Sequence, residues 1–440
     1  MFSAVSRVLV PATVVCLAGA ALVSAGGDAV GDPGSRVRWA RADQGWDPPL
    51  TVGISPQTPP TFDVAVAGSG EMTVAYVEAG DALLRRRPAG GTWGEPTTLV
   101  GNGAVSEVQA AYDGAGRLVV AWADVRAKAR LVSRYELEAG GWSPEEVIAR
   151  RPSAFEGLDL EVNQRGDAAV AAGCGLVSNR RAGGAWSKPS GFVAERCDLA
   201  LGGVGPVALA WTTWDGDRAT VRVARQPLGG DWGKVTVLAE FSGFLLAPGA
   251  TTVAADGAGT TTVSWRDQGA HGAWQVRARR APRGHPFGGT VVLGTRVGNS
   301  DLVYVPPRVL TNHRGITLVF WMRLNGTLWA VRRPAAGPWS APVRVKPQQG
   351  FWQWDAALDP TGRAVAVWTR GGWFGEPGQG VFASTMTKRG VWSAPANVTS
   401  RAEQVYNPAV AMNHRDALSG WTRVLDVGDY RYRASSHLGS

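Results

Sequence analysis

Four arginines share one sequence context. Arg266 follows Trp265 directly, and Arg323, Arg370 and Arg423 stand two residues after Trp321, Trp368 and Trp421. Each Trp closes an apolar run. A guanidinium offers a planar fork of donors that grips a carboxylate or phosphate through two parallel hydrogen bonds. One Arg per repeat could therefore line one side of a funnel and clamp an anion, with Asp267 adding an acid beside Arg266. The competing reading is that Arg recurs there to cap strand ends, its stem packed on neighbours and its head in water. Aromatic residues offer a second chemistry. Phe351-Trp352-Gln353-Trp354-Asp355 and Gly371-Gly372-Trp373-Phe374 place rings between apolar runs, and an exposed ring is a platform for the apolar face of a sugar. Most of the 20 Trp are expected in the core. Trp373, flanked by glycines, is the least easily assigned there.

Other constellations are thin. The five His show no metal-ligand spacing. No Gly-x-Ser-x-Gly elbow and no phosphate-cradling Gly-Lys-Ser/Thr loop occurs. No cofactor and no metal are expected.

The start of the chain reads as a secretory signal. Arg7 precedes the apolar stretch from Val8 to Val23, and Val23-Ser24-Ala25 supplies small residues for cleavage. The expected division is a signal peptide over 1–25, a linker over 26–35 and one domain over 36–440, secreted or held at the cell surface, with no membrane span once the signal is cleaved. Beyond Cys16 two cysteines remain, Cys174 and Cys197. Export permits a disulfide between them. The net charge of +9 suits anionic partners, although export argues against nucleic acid.

Hydrophobic residues make up 45% of the chain, enough to exclude disorder, and 58 Gly with 27 Pro exclude a coiled coil in favour of short strands and tight turns. The chain repeats at a period near fifty residues. One signature is Asp or Asn, two residues, then Gly, leading to Trp: Asp113-Gly116-Trp122, Asp256-Gly259-Trp265, Asn312-Gly315-Trp321 and Asp359-Gly362-Trp368. The acid or amide starts a turn by bonding its own backbone, and Gly closes it. The run that follows, such as Leu118-Val119-Val120-Ala121-Trp122, does not alternate, which suits a strand buried on both faces. The other signature is Gly-Gly-x-Trp with Pro three residues on, as in Gly183-Gly184-Ala185-Trp186-Ser187-Lys188-Pro189. Its Trp is expected to begin a short edge strand and to cover the adjacent unit, since Pro has no donor for an inner ladder.

Each repeat thus predicts four strands, a to d, and such sheets stacked about an axis make an all-β propeller. Eight blades are expected, or seven if a degraded repeat between 150 and 240 is miscounted. The last repeat lacks the Trp-Pro signature, whereas Gly45-Trp46-Asp47-Pro48 carries it at the other end. The segment near 37–52 is therefore expected to complete the last blade and close the ring.

The Trp-Ser-x-Pro turns, such as Trp339-Ser340-Ala341-Pro342 and Trp392-Ser393-Ala394-Pro395, resemble the Asp-box repeats of sialidases and related secreted propellers. The resemblance spans nearly all of the chain beyond the signal and implies a propeller with its site at one end of the channel, where loops d–a and b–c open. No copy keeps both the Ser and the Asp of the box, and the segment that carries the first sialidase arginine is missing. An arginine triad, a Tyr–Glu nucleophile pair and an acid Asp therefore cannot be placed residue by residue, and sialidase activity is not carried over. The expected function is non-catalytic binding of a glycan, an anionic cell-surface ligand or a protein through Arg266, Asp267, Arg323, Trp352, Trp354, Arg370, Trp373 and Arg423. The alternative is a sialidase-like glycoside hydrolase.

Overall fold

The computed structural model describes residues 45–437, apart from 56–60, 102, 126–127, 153–154, 156, 174, 193–196, 243–250, 269–273, 296–305, 324, 346–352, 371–377, 400–402 and 427–428. Trp352, Trp373 and Cys174 lie outside the described residues, and the expected Cys174–Cys197 bridge with them. Every regular element among the described residues is a β-strand, so none is a helix able to cross a membrane. The strands form a β-propeller built of antiparallel sheets.

The sheets follow the repeats. Five of them have four strands in chain order, covering 62–100 (unit 1), 105–151 (unit 2), 197–242 (unit 4), 251–295 (unit 5) and 308–344 (unit 6). Unit 3, over 158–180, has three strands, and its fourth position is reduced to a reciprocal backbone pair between Val177 and Ser190. Pro189 lacks the donor that would extend it. Units 7 (354–397) and 8 (404–437) form one eight-stranded sheet, because strand c of unit 7 also pairs Gly378 and Gln379 with Val405 and Gln404. Leu50–Ser55 lies antiparallel on Asp429–His437 as the outer strand of unit 8, and Trp46 bridges His437. The paired strand is thus shifted a few residues past the expected 37–52.

The turns behave as their chemistry dictates. Asp113 Oδ1 accepts the N–H groups of Ala115 and Arg117, Asn312 Oδ1 those of Arg314 and Ile316, and Asp359 Oδ1 those of Thr361 and Arg363. The closing glycines, Gly116, Gly315 and Gly362, have φ of 79°, 82° and 92°, a region that costs other residues a Cβ clash. The Trp-Ser-x-Pro turns differ from expectation in one respect. Strand d begins after the Pro, at Thr97, Glu146, Val343 and Ala396, and not at the Trp. The Ser instead closes the turn. Ser340 N–H donates to Arg332 O, and its hydroxyl accepts from Arg332 N–H at 3.0 Å. Ser143, Ser187 and Ser393 do the same.

The core is divided among the contacts between successive units. Trp142 packs between units 1 and 2, Trp186 between 2 and 3, Trp232 between 3 and 4 and Phe287 between 4 and 5. Trp339, Trp392 and Trp46 continue the series, and Trp93 packs where unit 8 meets unit 1. Seven of the eight share a cluster with the buried aromatic that ends the apolar run of strand b, and Trp186 meets Ala172, which holds that place in unit 3. Burying one such Trp removes about 200 Å² from water, about 5 kcal/mol before chain entropy opposes it. Cations clamp the same seams: Arg86 lies over Trp142 at 5.6 Å and Arg225 over Phe287 at 5.0 Å.

Candidate functional site

The first strand of each unit carries one recurring position, thirteen residues ahead of the residue that ends the apolar run of strand b. It reads Asp63, Gln109, Asp159, Asp198, Thr252, Arg308, Asp355 and Pro408. Seven of these reach across to the next unit. Asp63 Oδ2 accepts from Ala110 N–H at 2.9 Å, Gln109 Oε1 from Leu160 N–H at 2.6 Å, and Asp159 Oδ2 from Leu199 N–H at 3.0 Å. Asp198 Oδ2 accepts from Val253 N–H at 2.6 Å and Thr252 Oγ1 from Val309 N–H at 3.2 Å. Arg308 pairs with Asp355, whose Oδ2 accepts from Val410 N–H at 2.8 Å. Pro408 has nothing to extend. Unit 8 meets unit 1 instead through Asn413 Nδ2, which donates to Ala67 O at 2.8 Å, and through Tyr432, which touches Phe62 and donates to Val77 O.

This belt surrounds a cavity of about 800 Å³ at the starting ends of the first strands. Among the described residues, Glu107, Asp159, Glu161, Asp198 and Asp355 line it against one cation, Arg308. Burial, then mutual repulsion, raises the carboxyls of Glu161 and Asp198 above their ordinary range. Burial alone raises Asp159, against the backbone N–H of Leu199. Among the described residues, each of Asp159 and Asp198 is held through Oδ2 and no hydrogen bond reaches its Oδ1. Gln353, Asn407, Trp354 and Phe62 complete the wall. Asn407 stands at φ 47° and donates its N–H to Gln353 Oε1 at 2.9 Å, so a strained backbone position sits at the rim. Glu161 lines this cavity and also one of about 600 Å³ at the far ends of the same strands.

The residues expected from the sequence fall as follows. Trp354 lines the cavity and leans on Phe320, with ring centroids 5.8 Å apart. Arg266 and Asp267 lie inside strand b of unit 5, which runs past Trp265 to Gln268. Both are buried. The Arg266 guanidinium lies over Trp274 at 5.5 Å and is drawn down to about 10 by burial, and Asp267 accepts from Trp265 Nε1 at 3.0 Å and pairs with Arg277 at 2.9 Å. Arg323 stacks on Trp329 at 3.9 Å. Arg370 is exposed at the end of its strand, and Arg423 lies within strand b of unit 8, 3.9 Å from Glu403. The four arginines belong to four units, and the described cavity lining does not include them. Asp159, Asp198 and Arg308 were not singled out, although a polar residue thirteen positions ahead of the end of the strand-b apolar run was available as a signal, and Glu161 stands off that position.

No family model matches the chain, and no curated protein is similar to it. Among solved structures, the BP39L lectin from Burkholderia pseudomallei superposes with a TM-score of 0.51 at 16% identity, over 77% of this chain and 99% of that one. The β-propeller domain of the Trilobed protease from Pyrococcus furiosus gives 0.43 at 7% identity, over 82% and 91%. The Aleuria aurantia lectin gives 0.41 at 10%, over 80% and 98%. The first of these likenesses bears on the fold alone.

Proposed function

We propose that the chain is an exported eight-bladed propeller that binds a carbohydrate at its acidic cavity. The observation that carries this is the lining: carboxylate oxygens of Asp159 and Asp198 that no hydrogen bond among the described residues reaches, the amides of Gln353 and Asn407, and the rings of Trp354 and Phe62 in one space. Acceptors that take hydroxyl protons beside an aromatic face are the chemistry a sugar ring asks for, and the acidic excess favours a neutral or amine-bearing sugar over an acidic one. That the superposed structure of this fold is a lectin points to the same ligand class. Eight blades in a closed ring is supported by the packing of Tyr76 and Val52 with Tyr432 where unit 8 meets unit 1. Export rests on Arg7 and the apolar stretch behind it, and the Trp-Ser-x-Pro turns are read as eroded Asp-boxes. The test is calorimetric titration with neutral, amino and uronic oligosaccharides against the full chain and Asp159→Asn/Asp198→Asn. Binding of the first two classes that the double variant loses supports the site. Binding of uronic sugars alone, or binding the variant keeps, refutes it.

A glycoside hydrolase remains the second reading, because Glu161 and Asp198 are raised beside other acids in one cavity, as a general acid must be. A fluorogenic-glycoside screen decides: turnover abolished by Glu161→Gln establishes it, and no turnover with any glycoside excludes it.

A further inference from the structure

On the opposite face, one cleft carries the opposite charge among its described lining residues. A cleft of about 680 Å³ opens where the a–b and c–d turns of units 3, 4 and 5 meet. Arg165, Arg181, Arg225, Lys234 and Arg283 line it, against Asp167 as its one carboxylate. Asp167 is already engaged, Oδ1 by Ala182 N–H at 3.1 Å and Oδ2 by Asn163 Nδ2 at 3.0 Å. Arg225 is fixed over Phe287, and its Nη2 donates to His285 O at 2.7 Å. The other four cations are exposed, and none has an ion pair among the described residues. A concave wall lined by one sign of charge focuses its field into the cleft and raises the local concentration of an opposite charge.

We propose that this cleft binds a linear polysaccharide bearing sulfate or carboxylate groups. Cations contributed by three successive units suit a ligand that repeats its charge along its length. Val204, Pro206, Leu228 and Pro286 give the cleft apolar wall, and no Trp, Tyr or Phe is among its described lining residues. That wall accepts sugar rings and offers no stacking platform for a base, which argues against a single-stranded nucleic acid. The site is independent of the acidic cavity, so one molecule presents two faces to ligands of opposite charge.

The full chain is titrated with dextran sulfate and with polygalacturonate at an ionic strength of about 0.15 M, where weak surface attraction is largely screened. Arg181→Glu/Arg283→Glu is compared with Lys388→Glu/Arg389→Glu, which removes the same charge from an exposed turn of unit 7. The cleft variant raises Kd about tenfold or more and the control less than about twofold. Whichever polymer binds tighter identifies the charged group. Should the cleft pair unfold, as seen in its melting curve, Arg165→Gln/Lys234→Gln replaces it with the same expectation. Equal losses in cleft and control variants, failure of both polymers to bind, or tighter binding of a single-stranded oligonucleotide overturns the proposal.

Discussion

Asp63 has both carboxylate oxygens held by backbone, Oδ1 by Val64 N–H at 2.8 Å and Oδ2 by Ala110 N–H at 2.9 Å. Those bonds favour the anion. Burial outweighs them, the charges of Asp355 and Asp159 add to it, and the carboxyl is pushed up from 3.8 to about 6. The folded protein therefore takes up this proton before the unfolded chain does as pH falls. Above pH 6 the fold carries a buried anion that the unfolded chain would solvate better, and below about pH 4 that penalty is gone. With these two values the penalty is about 3 kcal/mol at pH 7.5 and about 1.6 kcal/mol at pH 5, so acidification returns about 1.4 kcal/mol. Asp63→Asn does not titrate. It loses one of the two N–H bonds at every pH, about 1–3 kcal/mol. The stability of wild type relative to the variant therefore rises by about 1.4 kcal/mol from pH 7.5 to pH 5. Urea unfolding of both proteins at the two pH values and constant ionic strength measures it. A difference that stays constant within about 0.3 kcal/mol, or moves in the variant's favour, refutes the elevated carboxyl.

Removing residues 45–55 uncovers the edge of unit 8 and the cluster around Val52 and Tyr432, and should lower Tm by about 10 °C or abolish cooperative unfolding. A Tm within about 2 °C of wild type contradicts this. Asn413→Ala removes the turn acceptor for Arg415 and Asp416 and the bond to Ala67, costing about 2–3 kcal/mol, and Asn413→Asp, which keeps the acceptor, costs less. Equal costs mean that the link to unit 1 is the whole effect. Trp321→Ala, fully within the seam between units 5 and 6, costs about 3–5 kcal/mol by denaturant unfolding. Thiol labelling of the denatured, unreduced full chain produced under oxidising conditions should find Cys174 and Cys197 unreactive, as the bridge expected from the sequence requires.

The turns and the seams were legible because their causes are local. An Asp or Asn that bonds N–H groups two and four residues ahead leaves its whole mechanism in five consecutive letters, and Asp113 through Arg117 shows it. The Trp of the second signature was legible for the same reason, but the start of its strand was not. The Pro that marks the motif delays the ladder until a residue with a free N–H arrives. In units 5, 7 and 8 the strand runs on past its Trp and carries Arg266, Asp267, Arg370 and Arg423 into sheet. The acidic cavity was hidden because Asp159 and Asp198 bond the backbone of another repeat, 40 and 55 residues away. A backbone partner leaves no complementary letter in the sequence.

That same anonymity governs how the repeats can drift. Where a strap grips a main-chain N–H, the gripped residue is irrelevant, and any acceptor of suitable reach serves, as the succession of Asp, Gln and Thr at this position attests. Such joints let neighbouring repeats change without consulting one another. The pairing of Arg308 with Asp355 is different: it joins two side chains, so neither can mutate alone without stranding the other's charge. Units 6 and 7 are thereby bound to a shared history, and the belt concentrates its co-dependence at the point where its lone cation faces the cavity.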